Sequence, residues 1–201
     1  KTAYEISLGL VGSEMCIRDR YNNRGRRFEE QIATMRRIWA GEDLNPDPNP
    51  DNHVGPVGPP PVQKGGPEIL IGAGTPSAIA RAGRLGDGFL APGTNPDTVE
   101  SAYKTATEAW EAEGKPGKPR LAGVYSYALG SNAADVVGDY IRHYYSFLGP
   151  LAETMAQNAL SSTEAVAGVI KDMEGLGMDE LVFLPSAGDM DQLDRLADIV
   201  G

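Results

Sequence analysis

The sequence predicts an α/β protein with a parallel sheet: a TIM (β/α)8 barrel truncated to roughly its C-terminal half, strands 5 to 8 with their helices. Four short apolar runs between Glu68 and Leu184 are each followed by a stretch of helical periodicity, the pattern of parallel β/α units. A complete barrel takes about 250 residues, roughly 30 per unit, so 67–201 suits four units with an extra helix. A doubly wound open sheet remains the alternative.

Residues 1–20 resemble a translated sequencing-library adapter, which supports the truncated fold. Back-translation of 1–6 and 9–20 gives, in frame, an adapter arm and a transposase end, with Ser7 and Leu8 supplied by the sample index. We therefore expect 1–20 to be a non-native adapter-derived segment and 21–201 to be the C-terminal part of a single barrel domain. The alternative is a weak native strand over 4–11.

The strands and the first helix follow from local patterns. Apolar residues at helical spacing predict a helix from Arg24 to Ala40, and the proline-rich 42–66 predicts an irregular surface loop. Short apolar runs, closed by glycine or proline, predict strands at 68–73, 87–91, 121–129 and 180–184.

The remaining helices follow from their start and stop signals. Pro76 opens a helix that runs to Arg84, and Asn95 caps the next one, which Gly114 ends. A longer helix is expected at 133–148 and a short one at Pro150. The inward residues of the longer helix are expected to be Val136, Val137, Tyr140, Ile141, Tyr144 and Leu148. A capping box of Ser161 with Glu164 opens a helix to Leu176, and Asp189 with Gln192 starts the terminal helix.

Charge and cysteine content exclude several functions. The chain has 18 basic and 28 acidic residues, and three of each lie in 1–20, so the remainder keeps the net charge of −10. Such a surface repels phosphate backbones and anionic headgroups, so neither nucleic acid nor membrane is an expected partner. Cys16, in the excluded segment, is the single cysteine, and metal-spaced histidines are absent, so no metal site is expected. Without a signal peptide or an apolar span, a cytoplasmic protein is expected.

The best site candidate is the turn between the first predicted strand and its helix. It comprises Gly72, Ala73, Gly74, Thr75, Ser77 and Ala78. Glycines allow a ligand to approach the backbone, and the free N–H groups and positive dipole end of the helix suit a phosphate or another anion. Thr75 and Ser77 hydroxyls could add hydrogen bonds. The alternative is an ordinary strand-to-helix turn, and the spacing is not that of a dinucleotide fingerprint.

Other polar and aromatic residues favour structural roles. Asp87 starts a strand, at the stability face of a barrel, so a salt bridge with Arg81 or Arg84 is favoured over catalysis. His53 is expected to be solvated in its loop, and His143 to be a partly buried surface residue. Tyr125 and Tyr127 share one side of their strand and are interpreted as core, as are Trp39 and Trp110. Catalytic residues stay unknown.

Several separated motifs resemble the luciferase-like monooxygenase family. They are RGRRFEE at 24–30, MRRIWAG at 35–41, PPPVQK at 59–64, PEILIGAGTP at 67–76, RAGRLGDGF at 81–89 and DELVF at 179–183. The resemblance spans 21–201 and implies a (β/α)8 barrel that uses reduced flavin mononucleotide (FMN) or a reduced deazaflavin coenzyme to oxygenate or reduce a small organic substrate. It places the coenzyme's phosphate end in the loop after the fifth strand, with contacts at Gly74, Thr75, Ser77 and Ala78.

The resemblance also implies what the chain lacks. In this family the residues that grip the ring system come largely from the first four strands, which this chain does not contain. Sugar-phosphate-using relatives keep a hydroxyl and a lysine after the sixth strand, where this chain has Pro92 and Asn95. We expect a fragment that is inactive alone and that forms homo-oligomers through exposed sheet edges. The alternatives are a non-redox barrel enzyme that binds a phosphorylated metabolite and a non-catalytic half-barrel.

Overall fold

The structure of the chain is a computed structural model. It describes residues 23–44, 51, 55–93 and 95–201, so the expectations for 1–20 and for His53 lie outside the described residues. Two compact units divide the chain, Lys1–Glu68 and Ile69–Gly201, and each is described by itself.

The first unit contains the amphipathic helix α1, Arg24–Trp39. Ile32 is its buried residue, and Arg26, Arg36 and Arg37 are exposed. Beyond the helix, Arg37 pairs with Glu42, and Gly66 lies so close to the Trp39 ring that an added Cβ would be 2.2 Å from Cε3. The described residues from 55 to 68 form neither helix nor strand, which agrees with the predicted irregular loop.

The second unit carries four strands and six helices in the described residues 69–93 and 95–201. The strands are β1 Leu70–Gly72, β2 Gly88–Pro92, β3 Arg120–Tyr127 and β4 Glu180–Pro185. The helices are α2 Pro76–Leu85, α3 Pro96–Ala112, α4 Ala133–Tyr144, α5 Pro150–Gln157, α6 Thr163–Gly175 and α7 Asp191–Val200, with a 3₁₀ turn Ser146–Leu148 before α5.

All strand pairs are parallel, in the order β1-β2-β3-β4. Ile71 aligns with Phe89 and Phe89 with Leu121, which sets one continuous row across three strands. This confirms the predicted parallel β/α units. Strands in chain order are the arrangement of neighbouring barrel strands, whereas a doubly wound sheet reverses its order at a switch point. The described strands show no such reversal.

One face of the sheet is buried beneath the helices over β1, β2 and β3, and Leu181 and Phe183 of β4 on the same face are half-buried. Phe89, Leu121 and Tyr127 are each 0% exposed. The Tyr125 hydroxyl lies 3.4 Å from Met173 Sδ on α6, and the Tyr127 hydroxyl donates to Gln192 O on α7 at 3.0 Å. Tyr125 and Tyr127 therefore belong to the core, as the sequence predicts.

The opposite face is much more accessible. Strand alternation places Leu90, Val124, Val182 and Leu184 there, and the register pairs Val124 with Val182. Val182 is 36% exposed and Leu184 44%, although both are apolar and lie within a parallel strand. Parallel sheets are normally covered on both faces. We call these accessible apolar residues, with Leu70, the inner face.

The predicted helix over 133–148 is too long. Regular α-helix ends at Tyr144, and Leu148 N donates to Tyr145 O, three residues back, in the tighter 3₁₀ pattern. Pro150 explains only why no helix continues through Gly149, because proline disfavours a helical conformation at the residue before it. The prediction that Tyr140 and Tyr144 point inward is wrong. Both are exposed and stack on each other, with ring centroids 5.7 Å apart.

Two predicted helix starts are also corrected. The cap of α6 is Ser162, not Ser161, and its hydroxyl accepts from Ala165 N at 3.1 Å. Hydrogen bonds from the Glu164 amide and the Ser162 hydroxyl lower the pKa of Glu164. At α7, Asp189 Oδ1 accepts from Asp191 N, but the Gln192 side chain turns into the core instead of capping.

Aspartates at the starts of strands clamp the neighbouring strand. Asp179 N donates to Leu121 O at 2.9 Å, and its carboxylate accepts from Leu121 N at 2.8 Å. Asp87 makes the same pair of bonds with Ile69, at 2.8 and 2.9 Å. The sequence favoured a structural role for Asp87 through Arg81 or Arg84. The bonds seen here support the structural role through a backbone amide.

Removing the Asp179 clamp should destabilise the protein. We expect Asp179→Ala to lower the free energy of unfolding by about 1–3 kcal/mol, because it leaves the Leu121 amide without its acceptor. Urea denaturation measures the change. Asp172→Ala, at an exposed position on α6, is the matched control and should stay within about 0.5 kcal/mol of the parent. Equal losses in both variants would contradict the clamp.

Candidate functional site

The predicted site lies at the carboxyl edge of the sheet, in the turn from β1 to α2. Gly72 ends β1, Ala73 and Gly74 form the turn, and Thr75 is the N-cap of α2 with extended backbone angles. Loops that follow parallel strands gather at this edge, where ligands of open and closed α/β sheets bind. The structure therefore brings Gly72, Ala73, Gly74, Thr75, Ser77 and Ala78 together on one exposed turn.

Several hydrogen-bonding groups of this turn face solvent. Thr75 and Ser77 are exposed, and the Thr75 hydroxyl makes no capping bond. A Cβ added at Gly74 would meet nothing within 4 Å, so the backbone there is open to a ligand. Ala78 differs from its neighbours, because its amide donates to Thr75 O at 3.0 Å. The Ala78 amide therefore stabilises the turn and is not free to bind a ligand.

The first turn of α2 carries no acidic residue, which distinguishes it from the other helices that directly follow a strand. The first turns of α3, α4 and α7 contain Asp97, Asp135, and Asp191 with Asp194. A first-turn carboxylate occupies the positive end of the helix dipole and repels a second anion. Within the described residues, α2 is thus the strand-following helix whose N-terminus is electrostatically open to an anion.

Helix α2 is held in place by a close contact with α3. A Cβ added at Gly83 would lie 2.0 Å from Ala106 O and 3.0 Å from Ala109 Cβ. At the same C-terminal end of the helix, Lys115 Nζ donates to Gly83 O at 3.0 Å and to Gly86 O at 2.9 Å. A lysine at a helix C-terminus also complements the dipole. These contacts fix the direction in which the N-terminus of α2 points.

In the next turn along the edge, between β2 and α3, the polar side chain already has a hydrogen-bond partner. Asn95 Oδ1 accepts from Thr98 N at 2.9 Å, which confirms the predicted cap of α3. This side chain is therefore committed to its own helix. It offers a ligand less than the Thr75 hydroxyl does.

The third turn, between β3 and α4, is held by hydrogen bonds from a glutamine that the sequence analysis did not assign to this role. Gln192 is 4% exposed, and its amide group accepts from Leu129 N at 2.7 Å and donates to Leu129 O at 2.9 Å. Arg195 also donates to Leu129 O. The two segments lie more than 60 residues apart, so no local pattern could reveal the contact.

The other candidates do not join the site turn. His143 is exposed on α4, not partly buried as predicted, and lies beside the stacked tyrosines. Trp110 packs beneath Lys115, whose Nζ lies 4.3 Å from the ring centroid, as expected of a structural residue. Among the described residues there is no group of three or more histidine, cysteine or acidic side chains that could hold a metal ion. None of the described helices is both long and apolar enough to cross a bilayer.

The sheet and its helices define a parallel β/α protein, with an exposed turn at the carboxyl edge of β1. A family model described as luciferase-like monooxygenase matches residues 7–196. The chain belongs to this family, as the sequence motifs indicate. The match includes 7–20, and the adapter origin of 1–20 stays a prediction.

One curated relative and two solved structures illustrate the likeness. The chain is 34% identical over 86 residues to the F420-dependent glucose-6-phosphate dehydrogenase 1 of Rhodococcus jostii (strain RHA1), which covers 43% of this chain and 24% of that protein. An F420-dependent secondary alcohol dehydrogenase in complex with an F420-acetone adduct superposes with a TM-score of 0.62 at 16% identity, over 91% of this chain and 64% of that one. The EDTA monooxygenase of Chelativorans sp. BNC1 gives 0.62 at 19%, over 90% and 59%.

The structural matches establish the fold. The chain spans about a quarter of the curated relative and about three-fifths of the solved structures. The α/β architecture with a parallel sheet is thus that of luciferase-like barrel proteins.

The contact between α2 and α3 gives a test of how the site helix is positioned. Glycine to alanine within a helix ordinarily stabilises by about 0.5–1 kcal/mol. We expect Gly168→Ala, on α6 with open space at the Cβ position, to follow this rule. Gly83→Ala should instead destabilise by about 1–3 kcal/mol, because its methyl group would overlap Ala106 O. Thermal unfolding measures both, and stabilisation by both would rule out the close contact.

The Tyr127 hydroxyl should make the protein sensitive to alkaline pH. Burial raises the pKa of Tyr127 above its ordinary value of about 10. The folded state therefore keeps its proton where the unfolded state loses it, so stability is present below about pH 10 and is lost as pH rises further. Burial also raises the pKa values of Tyr103 and Tyr145, so the loss is shared.

Tyr127→Phe isolates this contribution. The variant should lose about 0.5–1.5 kcal/mol near neutral pH with the bond to Gln192 O, and should decline less steeply above about pH 10. Urea midpoints across this pH range measure the slope. An unchanged slope for Tyr127→Phe would contradict the assignment.

Proposed function

We propose that the chain is the C-terminal part of a (β/α)8 barrel oxidoreductase that uses reduced FMN or a reduced deazaflavin coenzyme on a small organic substrate. Membership of the luciferase-like family supports the enzyme class. The F420-dependent and monooxygenase titles of the similar proteins support a flavin-type coenzyme without choosing between the two kinds.

The accessible inner face supports the assignment to part of a barrel. Four parallel strands in chain order bury their outer face under helices, while Val182 and Leu184 stay exposed on the inner one. In a closed barrel the inner face is filled by side chains from all the strands. A sheet with one finished face is what half of such a barrel would present.

The turn from β1 to α2 carries the functional proposal. Its donors are exposed, its glycine is open and its helix lacks a first-turn acid, so the residues fit the phosphate end of FMN or of a deazaflavin coenzyme. When bound, the coenzyme would supply the redox chemistry, and the protein would supply position and electrostatics. Thr75 and Ser77 would donate from their hydroxyls, and Gly72, Ala73 and Gly74 would let the phosphate approach the backbone, while Ala78 shapes the turn.

The turn between β2 and α3 argues against a sugar-phosphate substrate. Family members that use sugar phosphates carry a hydroxyl and a lysine where this chain has Pro92 and Asn95, and the Asn95 oxygen is already engaged by Thr98 N. We therefore propose a substrate other than a sugar phosphate, although the curated relative is named for glucose 6-phosphate.

A charge placed at the turn tests the proposed coenzyme site. Titration of the chain with FMN and with coenzyme F420, followed by fluorescence, measures the Kd. We expect Thr75→Glu to raise it roughly tenfold, because helix N-terminus interactions with anions reach about 1–2 kcal/mol. Thr163→Glu, at the first residue of α6, is the matched control and should leave the Kd unchanged.

The outcomes separate this proposal from its alternatives. Coenzyme binding without turnover, when the reduced coenzyme and candidate substrates are added together, supports a fragment that needs the rest of its barrel. Turnover by the chain alone would overturn the fragment proposal. Binding of sugar phosphates but of neither coenzyme would favour the non-redox barrel enzyme, and binding of none of them the non-catalytic half-barrel.

A further inference from the structure

Ser126 is the polar side chain at the carboxyl end of the inner face, among the described residues of the four strands. Its neighbours Tyr125 and Tyr127 are buried on the opposite face, so strand alternation directs the Ser126 side chain to the inner face. The register of β3 and β4 places Ser126 beside Leu184, which is 44% exposed. Ser126 itself is half-buried. A hydroxyl therefore lies within the apolar carboxyl end of this face.

The Ser126 hydroxyl has no hydrogen-bond partner among the described residues. Two tyrosine hydroxyls of the same unit differ, because Tyr127 donates to Gln192 O at 3.0 Å and Tyr103 to Pro119 O at 2.6 Å. A serine hydroxyl can both donate and accept a hydrogen bond. Because a polar group that loses water without gaining a partner weakens a complex, a ligand that covers Ser126 should offer it one hydrogen-bonding group.

The charged residues of the inner-facing rows lie at the opposite, amino end of the strands. Arg120 begins β3 and Glu180 begins β4, and their side chains form an ion pair with each other. A charged group at the carboxyl end would lose hydration without gaining a partner from these rows. The surface therefore favours an uncharged molecule. Toward the carboxyl end, the described strand residues of the same rows are all uncharged: Gly72, Pro92, Val124, Ser126, Val182 and Leu184.

Ser126 occupies the position of an active-site residue in a parallel β/α barrel. Active sites of such barrels lie at the carboxyl ends of the strands, whereas the deeper layers of the interior are filled by side chains. One strand, β2, separates β1 from β3, so Ser126 lies about 10 Å across the sheet from the strand that leads into the proposed phosphate turn. A substrate beside Ser126 and a coenzyme phosphate at Thr75 would therefore occupy different parts of one edge.

We infer that Ser126 determines substrate specificity, and that the substrate is a small uncharged molecule with a hydroxyl or carbonyl group. The Ser126 hydroxyl hydrogen-bonds to that group, and Val124 and Leu184 contact the apolar remainder. The inference rests on the proposed function, in which the other strands of the barrel complete the pocket. It adds the chemical class that this chain's part of the pocket accepts.

Three probes of similar size test the inference on the full 201-residue chain: benzyl alcohol, benzoate and toluene. Each probe is titrated separately, and the NMR shifts of the Ser126 and Leu184 amides give the Kd. We expect benzyl alcohol to bind roughly tenfold more tightly than benzoate, because the carboxylate meets no cation at this end of the face and the acidic chain repels it.

Removal of the hydroxyl tests the role of Ser126 itself. Ser126→Ala should raise the Kd for benzyl alcohol about three- to tenfold, because one net hydrogen bond is lost, and should leave the Kd for toluene within about twofold. Ser101→Ala removes a hydroxyl from an exposed position on α3 and is the matched control. It should keep the parent Kd for all three probes.

An added charge tests the preference for an uncharged ligand. Leu184→Lys places a cation next to Ser126 and should reduce the preference for benzyl alcohol over benzoate roughly tenfold, because the carboxylate gains a charged hydrogen-bond donor. Phe147→Lys adds the same charge on the 3₁₀ turn, outside the sheet, and should keep the parent preference. Circular dichroism confirms that each variant keeps its secondary structure.

Benzoate binding as tight as that of benzyl alcohol would overturn the inference, as would a Kd for benzyl alcohol that Ser126→Ala leaves unchanged. Shifts at Ser126 and Leu184 that do not saturate would also overturn it. The coenzyme titrations at the Thr75 turn separate the two proposals. Coenzyme binding without an effect of Ser126→Ala would remove this inference alone. A Ser126-dependent preference without coenzyme binding would support the site described here and count against the oxidoreductase.

Discussion

Burial of one face of the parallel sheet is the constraint on which the rest of this structure depends. Phe89 and Leu121 align in neighbouring strands and are fully buried, as is Tyr127 further along β3. Apolar burial is the dominant favourable term in folding, and here it fixes strand register and helix position together. The carboxyl-edge turns inherit their geometry from that packing, because each turn joins a strand of fixed register to a helix seated on it.

Side-chain hydrogen bonds satisfy backbone groups at the two ends of β3, which apolar burial alone would leave without partners. At its start, Asp179 holds both backbone groups of Leu121, and beyond its end Gln192 holds both backbone groups of Leu129. Unpaired backbone groups in these positions would each cost a desolvation penalty. The Asp179 clamp ties β3 to β4, and the Gln192 clamp ties the end of β3 to α7. Polar contacts therefore help to fix the order of these elements, as apolar packing does.

Local patterns were enough to predict the four strands, the existence of the helices and the turn between β1 and α2, because each leaves a signal within a few residues. Pro76 after Gly74 marks the start of α2, and Asn95 before Pro96 marks the cap of α3. Periodicity could not decide whether Tyr140 and Tyr144 face the core, since that depends on what lies opposite. The role of Gln192 was hidden for a similar reason: a glutamine near a helix start looks like a cap until the strand it meets is known.

The electrostatics of the carboxyl edge connect the fold to its proposed chemistry. The chain carries a net charge of −10, and the first turns of α3, α4 and α7 add carboxylates to the side where a ligand would approach. An anionic group is repelled by most of this edge, so the one strand-following helix start described without an acid becomes the favourable place for it. The preference of an anion for the turn between β1 and α2 thus comes as much from the acidic residues at the neighbouring turns as from the hydrogen-bond donors within it. Under the proposed function, that contrast would favour binding of the coenzyme's phosphate at the Thr75 turn over the other turns of the edge.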